Sequence, residues 1–585
     1  MTAEPVRTVS AVLERFGSDF GAFAAAFNEG QYVLWLGSGI SRERVPSVDA
    51  LLARIIESLR LNIDTGDGAC SYRAALHRVL SIASLTPEEQ ATIDLTVPFS
   101  GWSLRARITG VLADHYSKVL GVRVEGKAPD YLVWEVLDVT QTYGSPDIEP
   151  DVEHYCVALL MLEGLVDSAV TTNWDGLVEK ALHELTPAFE AVARVIVRPE
   201  DFHLATRPVQ IIKLHGCAVR AREDASYRPL LIGRMSQISK WATQSEHRPI
   251  RKRLESLYAE RPTLMVGLSA QDANLQYVFG TAVEDLARPW SPTNAPAVVF
   301  SEEALHSHHE NVLEITYGAD YDDNATAICA SAVLGSYGKP TLLALVLSSL
   351  TCKLKFLSEQ ALRSTWSQAQ IEDLTAHLDV VRDKAANSAD PNNCEELNPS
   401  DIATFQRDFI ARLIDVVYLA LTVFRTGHRP SEGERRYQPL SERPITQAIH
   451  NADFPSMQFG RLGIALALIG RGLASRQWSA VPGDRKAPGD GVVHLVTRQK
   501  DARVLFVKDA ATLAKLELDD SFDVSDEDAL IIIADEEPPI STRSPKPTFG
   551  RNGKVSGARF NVASSIADTA SADDLFEAFK LAGGF

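Results

Sequence analysis

Short apolar runs alternate with amphipathic helical patterns from residue 31 to about residue 335, and this alternation most constrains the fold. Apolar runs that end at glycine or polar residues predict buried strands. These runs are QYVLWLGSG (31–39), SAVTTN (168–173), ARVIVR (193–198), VQIIKLHG (209–216), PTLMVGLS (262–269), APAVVFS (295–301) and LEITY (313–317). Helices are predicted at about 47–59, 151–165, 175–185, 235–244, 248–259 and 273–288. Strands that alternate with helices form a parallel sheet covered on both faces, so we predict an α/β fold.

Changes in the pattern of predicted strands and helices divide the chain into three predicted domains. Residues 1–335 carry the strand and helix alternation, with a helical insertion at about 62–165. Residues 336–480 are dominated by long helical patterns. Residues 481–585 open with the linker VPGDRKAPGDG and form a small α/β domain, with predicted strands at 492–497, 503–508 and 529–534 and a final helix at 573–582.

Composition excludes several classes of protein. The net charge of −19 disfavours a broad nucleic-acid-binding surface, because an acidic protein repels phosphate backbones. The six cysteines are far apart and include no CxxC pair, which excludes a zinc ribbon and argues against a disulfide framework. The N-terminus lacks an apolar signal core, and the apolar helices near 413–424 and 462–470 are short, so no membrane span is predicted. We therefore expect a reduced, cytoplasmic protein.

Four predicted strands end in glycine or polar residues. These ends are GSGIS (37–41), TTNWD (171–175), His215 with Gly216, and GLSAQD (267–272). The carboxyl ends of parallel strands share one edge of a sheet, where ligands bind. Taken singly, none of these motifs identifies a ligand site. GSGIS lacks the third glycine of a dinucleotide fingerprint, and Asp272 also suits a helix N-cap. Together they predict a ligand site with glycines for phosphate and a histidine for proton transfer.

The motifs GSGIS, TTNWD, KLHG and VGLS, in that order, resemble those of the sirtuin-like NAD-binding fold over about residues 25–330. The closer resemblance is to sirtuin-like domains of bacterial antiphage defence proteins. It implies a Rossmann-like sheet with NAD as the bound substrate. The resemblance implies that Asn173 and His215 are catalytic. It also implies NAD contacts for Gly37, Ser38, Gly39, Ile40 and Ser41 at the phosphates, for Thr172 and Asp175 near the nicotinamide, and for Gly267, Ser269, Asp272, Tyr317 and Gly318 elsewhere, chiefly on the adenosine side.

One departure from deacetylating sirtuins bears on the activity. Those enzymes carry four zinc cysteines after the active-site histidine, whereas only Cys217 lies near His215 here. No metal is therefore expected. The resemblance then favours hydrolysis of the N-glycosidic bond of NAD. Two alternatives stay open: a non-catalytic sensor of NAD or ADP-ribose, and a protein deacylase or ADP-ribosyltransferase.

The resemblance also bears on regulation. An unregulated NAD hydrolase would kill its own cell, so we expect activity in abortive infection that is gated by homo-oligomerisation or by a partner. Related defence proteins act with a DNA-translocating ATPase, with a short Argonaute, or alone as sensors of a phage protein. The helical middle of this chain favours the ATPase.

Overall fold

The structure is a computed structural model, and it describes residues 8–203, 208–285, 288–390, 399–428, 436–444, 456–483, 492–518, 528–535 and 558–585. Most of the predicted linker at 481–491 lies outside these residues, as does most of the polar stretch NSADPNNCEELNPS (387–400), but Val481 and Pro482 belong to a strand, Ser479–Pro482, and not to a linker. The described residues confirm the predicted α/β layout, with a parallel sheet, a helical region and a small C-terminal sheet.

The first sheet has six strands, all parallel, in the order β3-β4-β2-β1-β5-β6. Each strand is short and apolar, as expected for a sheet that is covered on both faces. The strands are β1 (Val33–Leu36), β2 (Ser168–Thr171), β3 (Ala193–Ile196), β4 (Val209–Lys213), β5 (Thr263–Val266) and β6 (Val298–Ser301).

The predicted strand LEITY (313–317) is wrong, because these residues end the helix Ser307–Tyr317. The buried side chains of this helix are His309, Val312, Leu313, Thr316 and Tyr317, which recur at helical spacing. The β-branched residues within 313–317 alone resemble a strand, whereas residues 307–317 taken together show the helical period. The sheet therefore ends at β6 among the described residues.

The helices predicted at about 47–59, 151–165, 175–185, 235–244, 248–259 and 273–288 form within a few residues of their expected bounds among the described residues. Helices cover both faces of the sheet. Outside the insertion the helices of this region, several of them not predicted, are Val9–Phe16, Gly21–Asn28, Val48–Leu61, Leu177–Leu185, Phe189–Val192, Ala218–Glu223, Met235–Trp241, Arg248–Glu260, Ala273–Asp285, Ser307–Tyr317 and Ala319–Ala332. The insertion contains the helices Ser71–Ile82, Pro87–Ala91, Arg105–Ala113, Tyr116–Leu120, Val139–Thr142 and Val152–Leu162, together with a short π-helix at Leu132–Val136.

The strand order reverses at β1, which lies between β2 and β5. Leu36, the last residue of β1, is opposite Thr171 on one side and Val266 on the other. The loops that follow these three strands therefore leave the same edge of the sheet at its centre. In open parallel sheets this edge, at the point where the order reverses, forms the ligand crevice.

The helical region comprises Gly338–Leu362, Gln368–Ala389, Pro399–Thr426 and Ser456–Ala474. The helix Gly338–Leu362 is long and apolar enough to cross a membrane, yet most of it is buried in this structure. Its residues Leu342 to Leu347 pack in the same hydrophobic core as Leu34 and Leu159. It is therefore a core helix that joins the sheet region to the helices that follow.

The C-terminal sheet is mixed, with five strands in the order β11-β10-β9-β8-β7. Its strands are β7 (Ser479–Pro482), β8 (Val493–Val496), β9 (Asp501–Val507), β10 (Ala529–Ile533) and β11 (Ala558–Asn561). The helices Ala510–Leu518, Val562–Asp568 and Ala572–Gly583 accompany it. The three strands and the final helix predicted here all form, while β7 and β11 were not predicted because each is short and partly polar.

Candidate active site

Two glycine loops interlock at the ends of β1 and β5. Gly37 N–H donates to Val266 O at 3.0 Å, and Gly39 N–H donates to Gly267 O at 3.0 Å. A Cβ on Gly37 would collide with the backbone of Gly267, and a Cβ on Gly267 would lie 2.7 Å from the Cα of Gly39. Gly267 also has a φ of +60°, a conformation that favours glycine. The glycines are thus required for backbone-to-backbone packing, and the Gly39 amide is already engaged within the protein.

Asn173 lies at the end of β2 with its side chain under the first glycine loop. Its Nδ2 donates to Gly37 O at 3.0 Å and to Ser41 Oγ at 3.3 Å. Its Oδ1 is buried and has no hydrogen-bond partner among the described residues. A buried acceptor without a partner costs free energy unless something binds it, so this oxygen marks a place for a ligand donor or a water.

His154, which the sequence analysis did not single out, completes this cluster. It comes from the insertion helix Val152–Leu162, is fully buried, and places Nε2 3.0 Å from Ser41 Oγ. Asp151 N–H donates to His154 Nδ1 at 2.9 Å, which is the backbone half of a capping box. The D-x-x-H spacing at 151–154 was the available signal, because it places a side chain at the third position of a predicted helix.

A second capping-box histidine holds the other glycine loop. His309 Nδ1 accepts from His306 N–H at 3.4 Å, and His309 Nε2 lies 3.1 Å from Leu268 O. His309 is buried, and its ring lies tilted against that of Phe300 with the centroids 4.5 Å apart. Both site loops are therefore held from outside the sheet by an imidazole at the start of a helix.

His215 and Asp272 meet across the carboxyl edge of the sheet. His215 Nε2 lies 3.1 Å from Asp272 Oδ2, and little of either side chain is exposed. Burial opposes ionisation of Asp272, but the charge of His215 and backbone N–H groups of Asn274 and Leu275 outweigh it and hold the pKa of the carboxyl below its ordinary value. Asp272 Oδ1 also accepts from Asn274 N–H at 2.7 Å, so the N-cap interpretation and a place in the site both apply.

Asp175 supports the local backbone of the site. Its Oδ1 accepts from Leu177 N–H at 3.2 Å, at the start of the helix Leu177–Leu185. The buried ammonium of Lys213 donates to Asp175 O and to Glu179 Oε1, the latter at 2.7 Å. This bridge ties the end of β4, two residues before His215, to the loop that carries Asn173.

The remaining predicted site residues fall into two groups. Thr172, Ser38 and Ser269 lie at the carboxyl edge and are at least partly exposed, whereas Ile40 is a buried core residue. Tyr317 and Gly318 are not brought to the site. Tyr317 Oη accepts from Ala297 N–H at 2.9 Å, just before β6 begins, so both residues lie at the opposite edge of the sheet. The reason is that residues 307–317 form a helix that runs back along the sheet.

The insertion contributes aromatic residues that the sequence analysis missed. Burial and the charge of Asp272 raise the pKa of Tyr116 to about 12, which places its phenol near that carboxylate. Burial and the charge of Asp175 raise the pKa of Tyr143, whose ring packs edge-on to Trp174 at 5.5 Å. These phenols therefore lie within electrostatic range of Asp272 and Asp175. No motif signals them, since isolated tyrosines in a helical insertion are ordinary core residues.

A cleft of about 420 Å³ lies behind the His215 loop and contains none of the predicted site residues. Its lining includes Leu231 and Gly233, which flank Ile232, the residue whose N–H donates to His215 O at 3.0 Å. Trp134 and Arg228 also line it, with the guanidinium 5.2 Å from the ring centroid. The cleft belongs to the junction between the insertion and the segment after β4.

Comparison with known families agrees with this geometry. Residues 167–321 match the family model of the SIR2-like domain, a range that runs from the residue before β2 past the end of β6. The chain therefore contains a sirtuin-like domain, and β1 with its glycine loop completes the sheet outside the matched range. SIR2-like domains bind NAD and are typically NAD-dependent enzymes. No curated protein matches the chain.

The side chains at the carboxyl edge fit a dinucleotide. Two buried polar atoms lack a hydrogen-bond partner among the described residues, namely Asn173 Oδ1 and Asn274 Nδ2, while His215 Nε2 lies 3.1 Å from Asp272 Oδ2. The two unpartnered atoms offer an acceptor and a donor to a polar ligand. Across the described ranges, no three His, Cys, Asp or Glu side chains are grouped so as to hold a metal ion.

Proposed function

We propose that the chain is an NAD⁺ hydrolase that cleaves NAD⁺ to nicotinamide and ADP-ribose. The observation that carries this proposal is the meeting, at one sheet edge, of Asn173 Oδ1 with no described partner and an imidazole beside a carboxylate, His215 with Asp272. The sirtuin-like domain supplies the link to NAD.

The chemistry needs only these groups and one water. The bond between ribose C1′ and the nicotinamide nitrogen breaks, and its electron pair neutralises the positive charge of the pyridinium ring. The oxygen of water forms the new bond to C1′, and the proton lost from that water goes to His215. Asp272 stabilises the imidazolium that results, and Asn173 Oδ1 accepts a hydrogen bond from the water or a ribose hydroxyl.

Hydrolysis is favoured over acyl transfer by the residues near His215. A deacetylating sirtuin carries four zinc cysteines there, whereas this sequence has Cys217 alone. The Cys217 thiol is buried, and burial raises its pKa despite the opposing charge of Lys213, so it is a poor thiolate. We assign it a packing role.

We further propose that the activity serves antiphage defence in the cytoplasm and is gated by homo-oligomerisation or a partner, with a DNA-translocating ATPase as the favoured partner class. The burial of the two central side chains supports gating, since Asn173 is 8% exposed and His215 4% exposed. A dinucleotide must contact both, so the residues packed around them have to move. A partner or a second copy that displaces the insertion would provide that step.

The decisive experiment incubates the purified protein with NAD⁺ and separates the products by chromatography. Release of nicotinamide and ADP-ribose in equal amounts supports the hydrolase. Binding of NAD⁺ without turnover, at every protein concentration, supports a sensor instead. Nicotinamide release that depends on an added acetylated peptide supports a deacylase and removes the hydrolase.

Light scattering during the same assay tests gating. We expect nicotinamide release to rise with the fraction of protein in an oligomer. A monomer with full activity at all concentrations contradicts gating by self-assembly.

A further inference from the structure

The tautomer of His154 follows from its two hydrogen bonds. Asp151 N–H donates to Nδ1 at 2.9 Å, so Nδ1 carries no proton. The proton therefore lies on Nε2, which donates to Ser41 Oγ at 3.0 Å. Burial lowers the pKa of His154 to about 4, against the opposing charges of Asp175 and Asp151, so the ring is neutral near pH 7.

The next link in the chain is the amide of Asn173. Its two Nδ2 hydrogens are directed at Gly37 O and Ser41 Oγ, at 3.0 and 3.3 Å. Rotating the amide by half a turn would place Oδ1 against the Gly37 carbonyl, which also accepts from Ile40 N–H at 3.3 Å. Two acceptors would then face each other without a hydrogen between them, which is costly in a buried site. His154 Nε2–H and Asn173 Nδ2–H thus both donate to Ser41 Oγ. Asn173 Oδ1 is left on the other side of the amide, where no described residue binds it.

We propose that His154 is a positioning residue, which acts through Ser41 to hold the Asn173 amide with its oxygen toward the substrate. This inference rests on the proposed function, because the orientation of Asn173 matters for turnover only if NAD⁺ is cleaved there. It adds to that function a residue from the helical insertion, outside the four motifs and outside the matched range of the SIR2-like domain.

The position of His154 is itself held by a buried cap. Asp151 Oδ1 accepts from Val152 N–H at 2.8 Å, which fixes the start of the helix. Lys339, at the start of the helix Gly338–Leu362, places Nζ 3.3 Å from Asp151 Oδ2 and 2.9 Å from Glu43 Oε2. A continuous polar path therefore runs from the helical region through Asp151 and His154 to Asn173.

Two amide substitutions separate positioning from helix capping. In His154→Gln the amide lies where Nε2 lay, so a donor to Ser41 is retained. In His154→Asn the amide lies where Nδ1 lay, so the acceptor for Asp151 N–H is retained but the Ser41 contact is lost. Asparagine is one methylene smaller than glutamine, so His154→Asn also leaves a larger cavity at this buried position, and the position of the Asn173 amide separates lost positioning from lost packing. The readouts are kcat and KM for NAD⁺ and neutron crystal structures, which show the hydrogens of the Asn173 amide and so distinguish Nδ2 from Oδ1.

We expect His154→Asn to lower kcat by about tenfold or more, with a much smaller change in KM, and to leave the Asn173 amide rotated or disordered. His154→Gln should keep kcat within about threefold of wild type. In a Ser41→Ala background, His154→Asn should add no further loss.

A loss of kcat in His154→Gln but not in His154→Asn would assign His154 to capping alone, and equal losses in the two variants would assign it to packing; either result overturns the proposal. The same holds if His154→Asn retains full kcat with Asn173 unmoved. If the wild-type protein cleaves no NAD⁺, the proposed function fails, while the orientation of Asn173 in the crystal structures still decides the role of His154.

Discussion

His215 Nε2 and Asp272 Oδ2 lie 3.1 Å apart, although β4 and β5, which lead to them, are separated by β2 and β1 in the sheet. The two loops therefore reach toward each other over the ends of the central strands. Asn173 leaves β2 beneath this contact, and Gly37 and Gly39 leave β1 beside it. The imidazole, the carboxylate and the amide are thus assembled above the point where the strand order reverses.

Loss of either central side chain should abolish turnover. We expect Asn173→Ala and His215→Ala each to cut NAD⁺ cleavage by about a hundredfold or more, the usual yield of a positioned proton transfer or water contact. Asn173→Ala also removes the bonds to Gly37 and Ser41, so it should cost about 1–2 kcal/mol of stability. Product release assays and thermal unfolding measure both effects. Cys217→Ser is the control and should stay active. If His215→Ala stayed active while Cys217→Ser lost activity, the result would point to a thiol mechanism.

Asp272→Asn tests the carboxylate while sparing the cap. Asparagine caps helices as well as aspartate does, so the bond to Asn274 N–H should persist and the melting temperature should change little. The negative charge beside His215 is lost, and kcat should fall on the order of tenfold or more. Asp224→Asn is the matched control, because Asp224 Oδ1 makes the same short turn to Ser226 N–H at 2.8 Å on an exposed segment. Full activity of Asp272→Asn would confine this residue to capping.

Gly267→Ala should break the contact between the two glycine loops. The new Cβ would lie 2.7 Å from Gly39 Cα, and the φ of +60° strains any side chain. We expect loss of NAD⁺ binding in calorimetric titration together with a lower melting temperature. Gly280→Ala is the control, since Gly280 lies within the helix Ala273–Asp285 with open space around it, and alanine there should stabilise by about 0.5–1 kcal/mol. Normal NAD⁺ affinity in Gly267→Ala would contradict a role for this contact.

Glu153 should make stability fall with rising pH. Burial raises the pKa of Glu153 to about 8; Lys339 opposes this shift and Asp151 and Glu43 add to it. The unfolded chain loses this proton near pH 4.5, whereas the folded protein keeps it until about pH 8. The contribution of Glu153 to the free energy of unfolding is therefore full below pH 4.5 and is lost progressively up to pH 8.

Glu153→Gln keeps the shape and removes the titration. We expect it to melt a few degrees (about 2–4 °C) above wild type at pH 8 and close to wild type at pH 4.5. Calorimetry at the two pH values measures the difference. Glu125→Gln, on the exposed surface, should show no pH-dependent gain. A gain that is larger at low pH than at high pH would reverse the sign and refute this role of burial.

Local patterns were sufficient to predict much of this protein. Nine of the ten predicted strands form, six in the first sheet and three in the C-terminal sheet, because an apolar run bounded by glycine or polar residues is a local property of the chain. The same patterns placed Gly37, Asn173, His215 and Asp272 at strand ends, and the parallel sheet brings such ends together. Their roles in NAD⁺ cleavage stay predictions, as do the domain boundaries at 335 and 480.

Only the tertiary structure decided which other side chains join the site. His154 reaches Ser41 across 113 positions of sequence, and His309 reaches Leu268 across 41, so no local window could show either contact. Tyr317 was excluded because the helix Ser307–Tyr317 runs away from the carboxyl edge, a consequence of packing over the whole helix rather than of its last five residues. Periodicity along the chain determines the elements, whereas the meeting of donors, acceptors and charges depends on long-range packing, which the order of residues alone does not display.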